Sequence, residues 1–424
     1  HQVVLAEMGG YMAERAADLA DVAQRIIARL RGVPAPGVPT SVTPFILVAR
    51  DLAPADTATL DLDLVLALLT RDGGPTSHTA ILARSKSIPA IVGVTGALEI
   101  ADGTVVIADA RARIARVAEA QALPIVDGVL ADGTPVALLA NLGSPDEAAA
   151  AVELGAEGVG LFRTEFLFLG RQEAPTVDEQ REAYTRLLEH FPGKKVVVRV
   201  LDAGADKPLR FLTDGDEENP ALGLRGLRAL RAHDQVLRDQ LTALVLAEAA
   251  TEADLWVMAP MVADADETEW FVALGRELGL KTVGVMAEVP SIAIVADQVV
   301  ASCDFISIGT NDLTQYTMAA DRMLGSVASY QDPWHPAVLR LIKMLGDAGA
   351  AAGTPVGVCG EAAADPDLAV VLVGLGVTSL SMSPAALADV RAALREVTGD
   401  EARTRAGRAL TARTARGARE AARG

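Results

Sequence analysis

Val283-Gly-Val-Met-Ala-Glu288 and Phe305-Ile-Ser-Ile-Gly-Thr-Asn-Asp312 share one design, a short apolar run that ends in a polar or charged cluster. The same design recurs in Val136-Ala-Leu-Leu-Ala-Asn141, Gly158-Val-Gly-Leu-Phe-Arg163 and Val196-Val-Val-Arg-Val-Leu-Asp202. It returns in Leu255-Trp-Val-Met-Ala-Pro260 and Val356-Gly-Val-Cys-Gly-Glu361. Short apolar runs bounded by polar clusters read as strands buried on both faces. A helix-like stretch follows each one, and strands that alternate with helices build a parallel sheet. Residues 131–424 are therefore expected to form a (β/α)8 barrel of the TIM type, whose C-terminal strand ends carry the chemistry.

Upstream, the pattern changes. The turn-rich Pro34-Ala-Pro-Gly-Val-Pro39 opens a unit with three short apolar runs, Phe45-Ile-Leu-Val-Ala49, Ala90-Ile-Val-Gly-Val94 and Val105-Val-Ile-Ala108. With a helical segment between the first two, residues 33–114 predict a small α/β domain, and residues 115–130 a linker. Residues 1–32 predict one amphipathic helix centred on Tyr11 to Leu30. The chain opens on His1 and not Met, so further sequence upstream is expected. The tail beyond Asp400, rich in Ala and Arg, is expected to be a surface helix that frays.

Half of the 424 residues are hydrophobic and 22% are charged, enough for at least one full-sized core. The formal charge of −18 argues against nucleic-acid or anionic-membrane partners, which need excess Lys and Arg. An anionic small substrate stays open, because a local arginine cluster can hold it. Cys303 and Cys359 are too few for a disulfide scaffold and suit a reducing cytoplasm. Leu368 to Ala388 carries no charge, but Gly374, Gly376 and Pro384 break it into a helix end and a strand, not a membrane span.

Gly73-Gly-Pro-Thr-Ser-His78-Thr79 precedes the apolar helix start Ala80-Ile-Leu-Ala83. His78 is thus expected near a helix N-terminus, where free backbone N–H groups and the dipole favour a phosphoryl group on the imidazole. Thr76, Ser77 and Thr79 could add hydroxyl donors. The string also reads as a helix capped by Thr76 or Ser77, with His78 incidental.

The barrel strand ends collect groups suited to an anionic, metal-bound substrate. Arg163, Arg199, Asn311 and Arg322 could clamp phosphate and carboxylate. Glu288 and Asp312 could hold Mg2+, which favours a few carboxylates plus substrate oxygens. Asp202 and Lys207 also fit a structural salt bridge, and Cys359 alone fits a small buried apolar residue.

Several stretches together resemble one family, enzyme I of the bacterial phosphoenolpyruvate-dependent sugar phosphotransferase system. They are Gly73 to Arg84, Gly158 to Phe168, Val198 to Lys207, Asn219-Pro-Ala-Leu-Gly-Leu-Arg225, Phe305 to Tyr316, Ala319-Ala-Asp-Arg322 and Cys359-Gly-Glu361. The resemblance implies a swivelling phosphohistidine domain that carries His78 and a phosphoenolpyruvate-binding barrel. It also implies that Arg163, Arg199, Asn311, Asp312 and Arg322 bind substrate, with Arg225 a further contact. Glu288 and Asp312 would hold Mg2+, and Cys359 would protonate the enolpyruvate. The carrier protein HPr would be the acceptor and the barrel would form a homodimer. Residues 1–32 match only the last helix of the family's HPr-docking domain. Two other readings are a fragment of a phosphoenolpyruvate synthase or pyruvate phosphate dikinase, and a non-catalytic phosphoenolpyruvate sensor.

Overall fold

A computed structural model describes residues 38, 41–50, 52, 60–61, 64–71, 83, 88–92, 94, 97–100, 104, 119–120, 123–204, 209–212, 217–322 and 324–424. The chain divides into two compact units, His1–Ala115 with Asp321–Ala328, and Arg116–Ala320 with Ser329–Gly424.

In the first unit, β1 (Phe45–Ala49), β2 (Val65–Thr70) and β3 (Ala90–Ile91) form a parallel sheet in that order. Leu47, Val65 and Leu68 from the sheet, with Leu52, Leu60, Ala83 and Ile88, make its small core. The helix expected over Tyr11 to Leu30, the strand expected at Val105 to Ala108 and the whole His78 loop lie outside the described residues.

The second unit is the closed parallel barrel that the alternation predicts. Its strands are β4 (Ala137–Leu142), β5 (Val159–Arg163), β6 (Lys195–Arg199), β7 (Asp254–Ala259), β8 (Thr282–Ala287), β9 (Ile306–Ile308), β10 (Val356–Val358) and β11 (Ser379–Met382). They follow chain order around the barrel, and β11 closes on β4 with Ser379 beside Ala137 and Met382 beside Ala140. The two-residue period of a strand divides its side chains between two cores. On β6, Val196 and Val198 join the large layer under the helices, while Val197 points with Leu161, Met258, Met286, Phe305 and Cys359 into the barrel interior.

The helices start and stop where local chemistry predicts. Val177–Leu188 opens on a capping box between Thr176 and Glu179. Ala265–Leu278 is capped by Asp264 and ends at Gly279, whose φ of 108° is open to glycine at little cost. The uncharged stretch from Leu368 resolves as expected into the end of the helix Pro366–Gly374 and strand β11. None of the described helices is long and apolar enough to cross a membrane.

The tail corrects one expectation. Gly399–Thr411 and Ala415–Arg423 are two docked helices, not a fraying one. Ala402, Ala406, Ala409, Ala418 and Ala422 are buried, and Gly374 lets the first of these helices approach: a Cβ there would stand 2.1 Å from the Ala402 carbonyl oxygen. A stripe of alanines carries too little hydrophobic contrast to announce a buried face in sequence, yet it permits close helix packing. Arg419 and Arg423 add ion pairs to Asp332 and Asp367.

Candidate active site at the barrel rim

The C-terminal ends of β5, β6, β8, β9 and β10 gather a charged cluster, most of it withdrawn from water. Arg199, the last residue of β6, is 7% exposed and pairs with Glu165 and, at 3.1 Å, with Asp202. Arg225 is 1% exposed. It donates from Nε and Nη2 to the two Asp202 carboxylate oxygens, each at 3.2 Å. Nη1 and Nη2 donate to the two oxygens of Asp312, again at 3.2 Å, and Nη1 also reaches the Tyr316 hydroxyl at 3.2 Å. Arg225 is therefore a buried bracket between two carboxylates. Removing it would take the arginine from Asp312 and leave Asp202 with Arg199, the costly way to break a buried pair.

Glu288 follows β8 directly and is 1% exposed. Its Oε1 accepts from the Met261 N–H at 2.7 Å. Met261 has φ of 59°, a left-handed conformation that costs a side-chain-bearing residue on the order of 1–3 kcal/mol, and there it aims its N–H at the acid. Gly309 keeps room on the other side, because a Cβ there would stand 2.8 Å from Glu288 Oε2. Burial, then the charges of Asp312 and Asp202, push the Glu288 carboxyl up to about 8, against the pull of Arg199 and Arg225. The rim thus sets four carboxyl groups, those of Glu165, Asp202, Glu288 and Asp312, against the buried Arg199 and Arg225.

That imbalance is the test of fit for a divalent cation. Among the described residues no three His, Cys, Asp or Glu side chains form a ready-made metal cage. Mg2+ needs none, since it is held by one or two carboxylates plus waters and substrate oxygens. Asp312 accepts from Arg225 at both carboxylate oxygens, and at Oδ1 also from the Gln315 amide at 3.5 Å, so its charge stays within the rim. Glu165 Oε2 and Arg199 Nε are buried without a hydrogen-bond partner. An orphan acceptor and an orphan donor side by side suit a bound cation and a bound anion.

Cys359 follows β10 and is 2% exposed. Its thiol donates to the Ile308 carbonyl at 3.6 Å and shares a hydrogen bond with the Ser307 side chain. Burial, with a smaller push from Glu288, raises it to about 11. At neutral pH it carries its proton, as an acid must and a thiolate nucleophile must not.

The rim brings together Arg199, Arg225, Glu288, Asp312 and Cys359. Arg163 ends β5 with an exposed side chain, and half-buried Asn311 accepts from the Glu361 N–H at 3.2 Å. Arg322 lies in the segment that groups with the first unit, and His78 lies outside the described residues. Asp202 pairs with two arginines, while Lys207, its expected partner, lies outside the described residues. Sequence reading missed Glu165, Met261 and Tyr316. Glu165 had a faint signal, standing two residues beyond Arg163 at a strand end; the other two act only through tertiary contact.

A parallel barrel with buried arginines and carboxylates on its C-terminal rim, joined to a small α/β unit, has the make-up of a phosphoenolpyruvate-utilising enzyme. The PEP-utilising enzyme, PEP-binding domain family matches residues 117–398, and the PEP-utilising enzyme, mobile domain family matches residues 42–113. A phosphoenolpyruvate-protein phosphotransferase of Streptomyces coelicolor is 54% identical over 100% of this chain and 79% of its own length. Proteins of the same name from Bacillus subtilis (41% identical, 92% of this chain and 74% of theirs) and Haloferax volcanii (42%, 96% and 77%) also match. The chain belongs to the phosphoenolpyruvate-protein phosphotransferase family, a family of transferases.

Proposed function

We propose that the barrel rim binds phosphoenolpyruvate and that its phosphoryl group passes to His78, with release of pyruvate. The observation that carries this reading is the buried cluster of Arg199, Arg225, Glu288 and Asp312, with its orphan donor on Arg199 and the orphan acceptor on Glu165 beside it. Arg163 and Arg199, with Asn311 and Arg322, would clamp the phosphate and carboxylate, each such donor contributing about 3 kcal/mol to the transition state. Arg225, engaged on both sides, suits holding Asp312 in place. Glu288 and Asp312 would hold Mg2+, which when bound supplies positive charge to the phosphoryl and enolate oxygens.

Cys359 would give its proton to the methylene carbon of the enolpyruvate. Closing the rim over the substrate excludes water, so a buried thiol is the right kind of donor. From His78 the phosphoryl group would go to HPr, as the first step of sugar uptake in the cytoplasm. Residues 33–114 would be the swivelling domain, 115–130 the linker and 131–424 the barrel. A homodimer through the barrel is supported by exposed Leu222, Leu224 and Ile294 on that unit.

Incubation with Mg2+ and labelled phosphoenolpyruvate should put acid-labile, alkali-stable label on the chain and release pyruvate. Stoichiometric labelling of the His78→Ala variant would overturn the assignment. Sedimentation of the chain as a monomer at micromolar concentration would remove the dimer.

A further inference from the structure

Below the rim, the barrel interior holds polar groups that phosphoryl transfer does not use. A cavity of about 10 Å³ is lined by Lys195, Ser307, Ser379 and Ser381, with Gly160 and Gly357 in its wall. That is room for about one water, with several polar partners in reach. The glycines keep it open: a Cβ on Gly160 would stand 2.5 Å from Ser381 Oγ, and one on Gly357 2.5 Å from Ser379 Oγ. Above the cavity, Ser307, itself 6% exposed, shares its hydrogen bond with the Cys359 thiol. Below it, Lys195 is the first residue of β6, and its Nζ lies 3.9 Å from the centre of the Trp256 ring. Asp254 is the charged group that faces this ammonium.

We propose that Lys195, a water held by Ser307, Ser379 and Ser381, and the Ser307 hydroxyl form a proton path through the barrel floor that reloads Cys359. The proposal rests on Cys359 as the proton donor to enolpyruvate. After that donation the sulfur is a buried thiolate facing Glu288, with the reaction product above it. The Ser307 hydroxyl gives its proton to the sulfur and takes one from the water. The water takes one from the Lys195 ammonium, which is left neutral and recovers its proton from solvent at the N-terminal face. One S–H bond forms, one N–H bond breaks, and no oxidant or reductant enters. Burial lowers Lys195 to about 8, so its ammonium gives up a proton more readily than an exposed lysine does. Both residues act through Cys359 and touch no substrate.

The test needs no acceptor protein. The whole chain is incubated with Mg2+, phosphoenolpyruvate and carbon-labelled pyruvate in D2O. Carbon label entering phosphoenolpyruvate counts reversible transfers, and deuterium entering its methylene carbon counts exchange of the Cys359 proton with solvent. Ser307→Ala and Lys195→Arg should lower the deuterium-to-carbon ratio by roughly tenfold while carbon exchange stays within about twofold. Lys195→Arg keeps the positive charge but cannot release a proton, so a merely structural lysine would leave the ratio unchanged. Ser307→Thr, which retains the hydroxyl, should restore the ratio. A wild-type ratio in both Ser307→Ala and Lys195→Arg overturns the path and means that solvent reloads the thiol from the rim. Cys359→Ala separates the two ideas: if it keeps wild-type carbon exchange, Cys359 is not the donor, and that reading falls on its own.

Discussion

The two ends of the barrel are built from opposite materials. The C-terminal rim is ionic, buried and strained, with Arg199, Arg225, Asp202, Glu288 and Asp312 packed around a left-handed Met261. The N-terminal floor is aromatic, with Trp256 and Phe305 at 4.8 Å between ring centres and one lysine over the indole. Folding does not require the rim's arrangement, since apolar side chains of the same volume would hold those strand ends at least as well. A barrel that gives up that stability at one end has committed the end to binding. The floor buries far less charge and chiefly holds the sheet shut, with Lys195 as its titratable group.

Replacing Arg225 is the hardest blow to the rim. Arg225→Met should destabilise the chain by about 3–5 kcal/mol, because two buried carboxylates lose their common partner. Urea unfolding measures this, and a loss below about 1 kcal/mol would mean that water reaches the rim and the contrast fails. The floor answers next. Trp256→Ala should cost roughly 2–3 kcal/mol in stability through lost packing on Phe305, yet leave carbon exchange between pyruvate and phosphoenolpyruvate within a few-fold. A collapse of exchange at full stability would show that Trp256 acts on the transfer itself and does more than pack.

The ionisation of Lys195 offers a finer instrument. In the folded chain burial lowers it from 10.5 to about 8, so between those values the unfolded chain holds the proton more often. Stability should therefore rise with pH across that window, by about 1 kcal/mol per pH unit. Lys195→Met should remove the slope, and an unchanged slope would place the titration elsewhere. The smallest effect belongs outside both ends. The Arg186 pair with Asp146 is exposed on both partners, and Arg186→Ala should change stability by less than about 0.5 kcal/mol.

How legible these features are in sequence follows from their range. Strand periodicity and the polar residues at strand ends are local, so the barrel and the positions of Arg199, Glu288, Asp312 and Cys359 can be read directly. The pairing of Arg225 with Asp202 and Asp312 joins residues 23 and 87 positions apart, and nothing near Arg225 announces it. Sequence offers Arg225 as a further substrate contact, and only the fold adds its two acidic partners. The tail failed for a different reason: alanine buries little area per residue, so a docked face and a fraying one look alike. Glu165 and Met261 acquire their roles only when strands far apart in the chain are laid side by side.

The seam between β11 and β4 sets a condition on synthesis. It joins segments such as Asn141 and Ser381, 240 residues apart. At about 5–20 residues per second, a ribosome needs roughly 10–50 s to make the stretch between them. Throughout that interval β4 hangs from the ribosome as an unpaired edge, open to other nascent chains. The strands between can pair in turn as they emerge, but the seam itself cannot form early. It closes in one late event, and a cell that makes this protein must shield an open sheet until the final strand arrives.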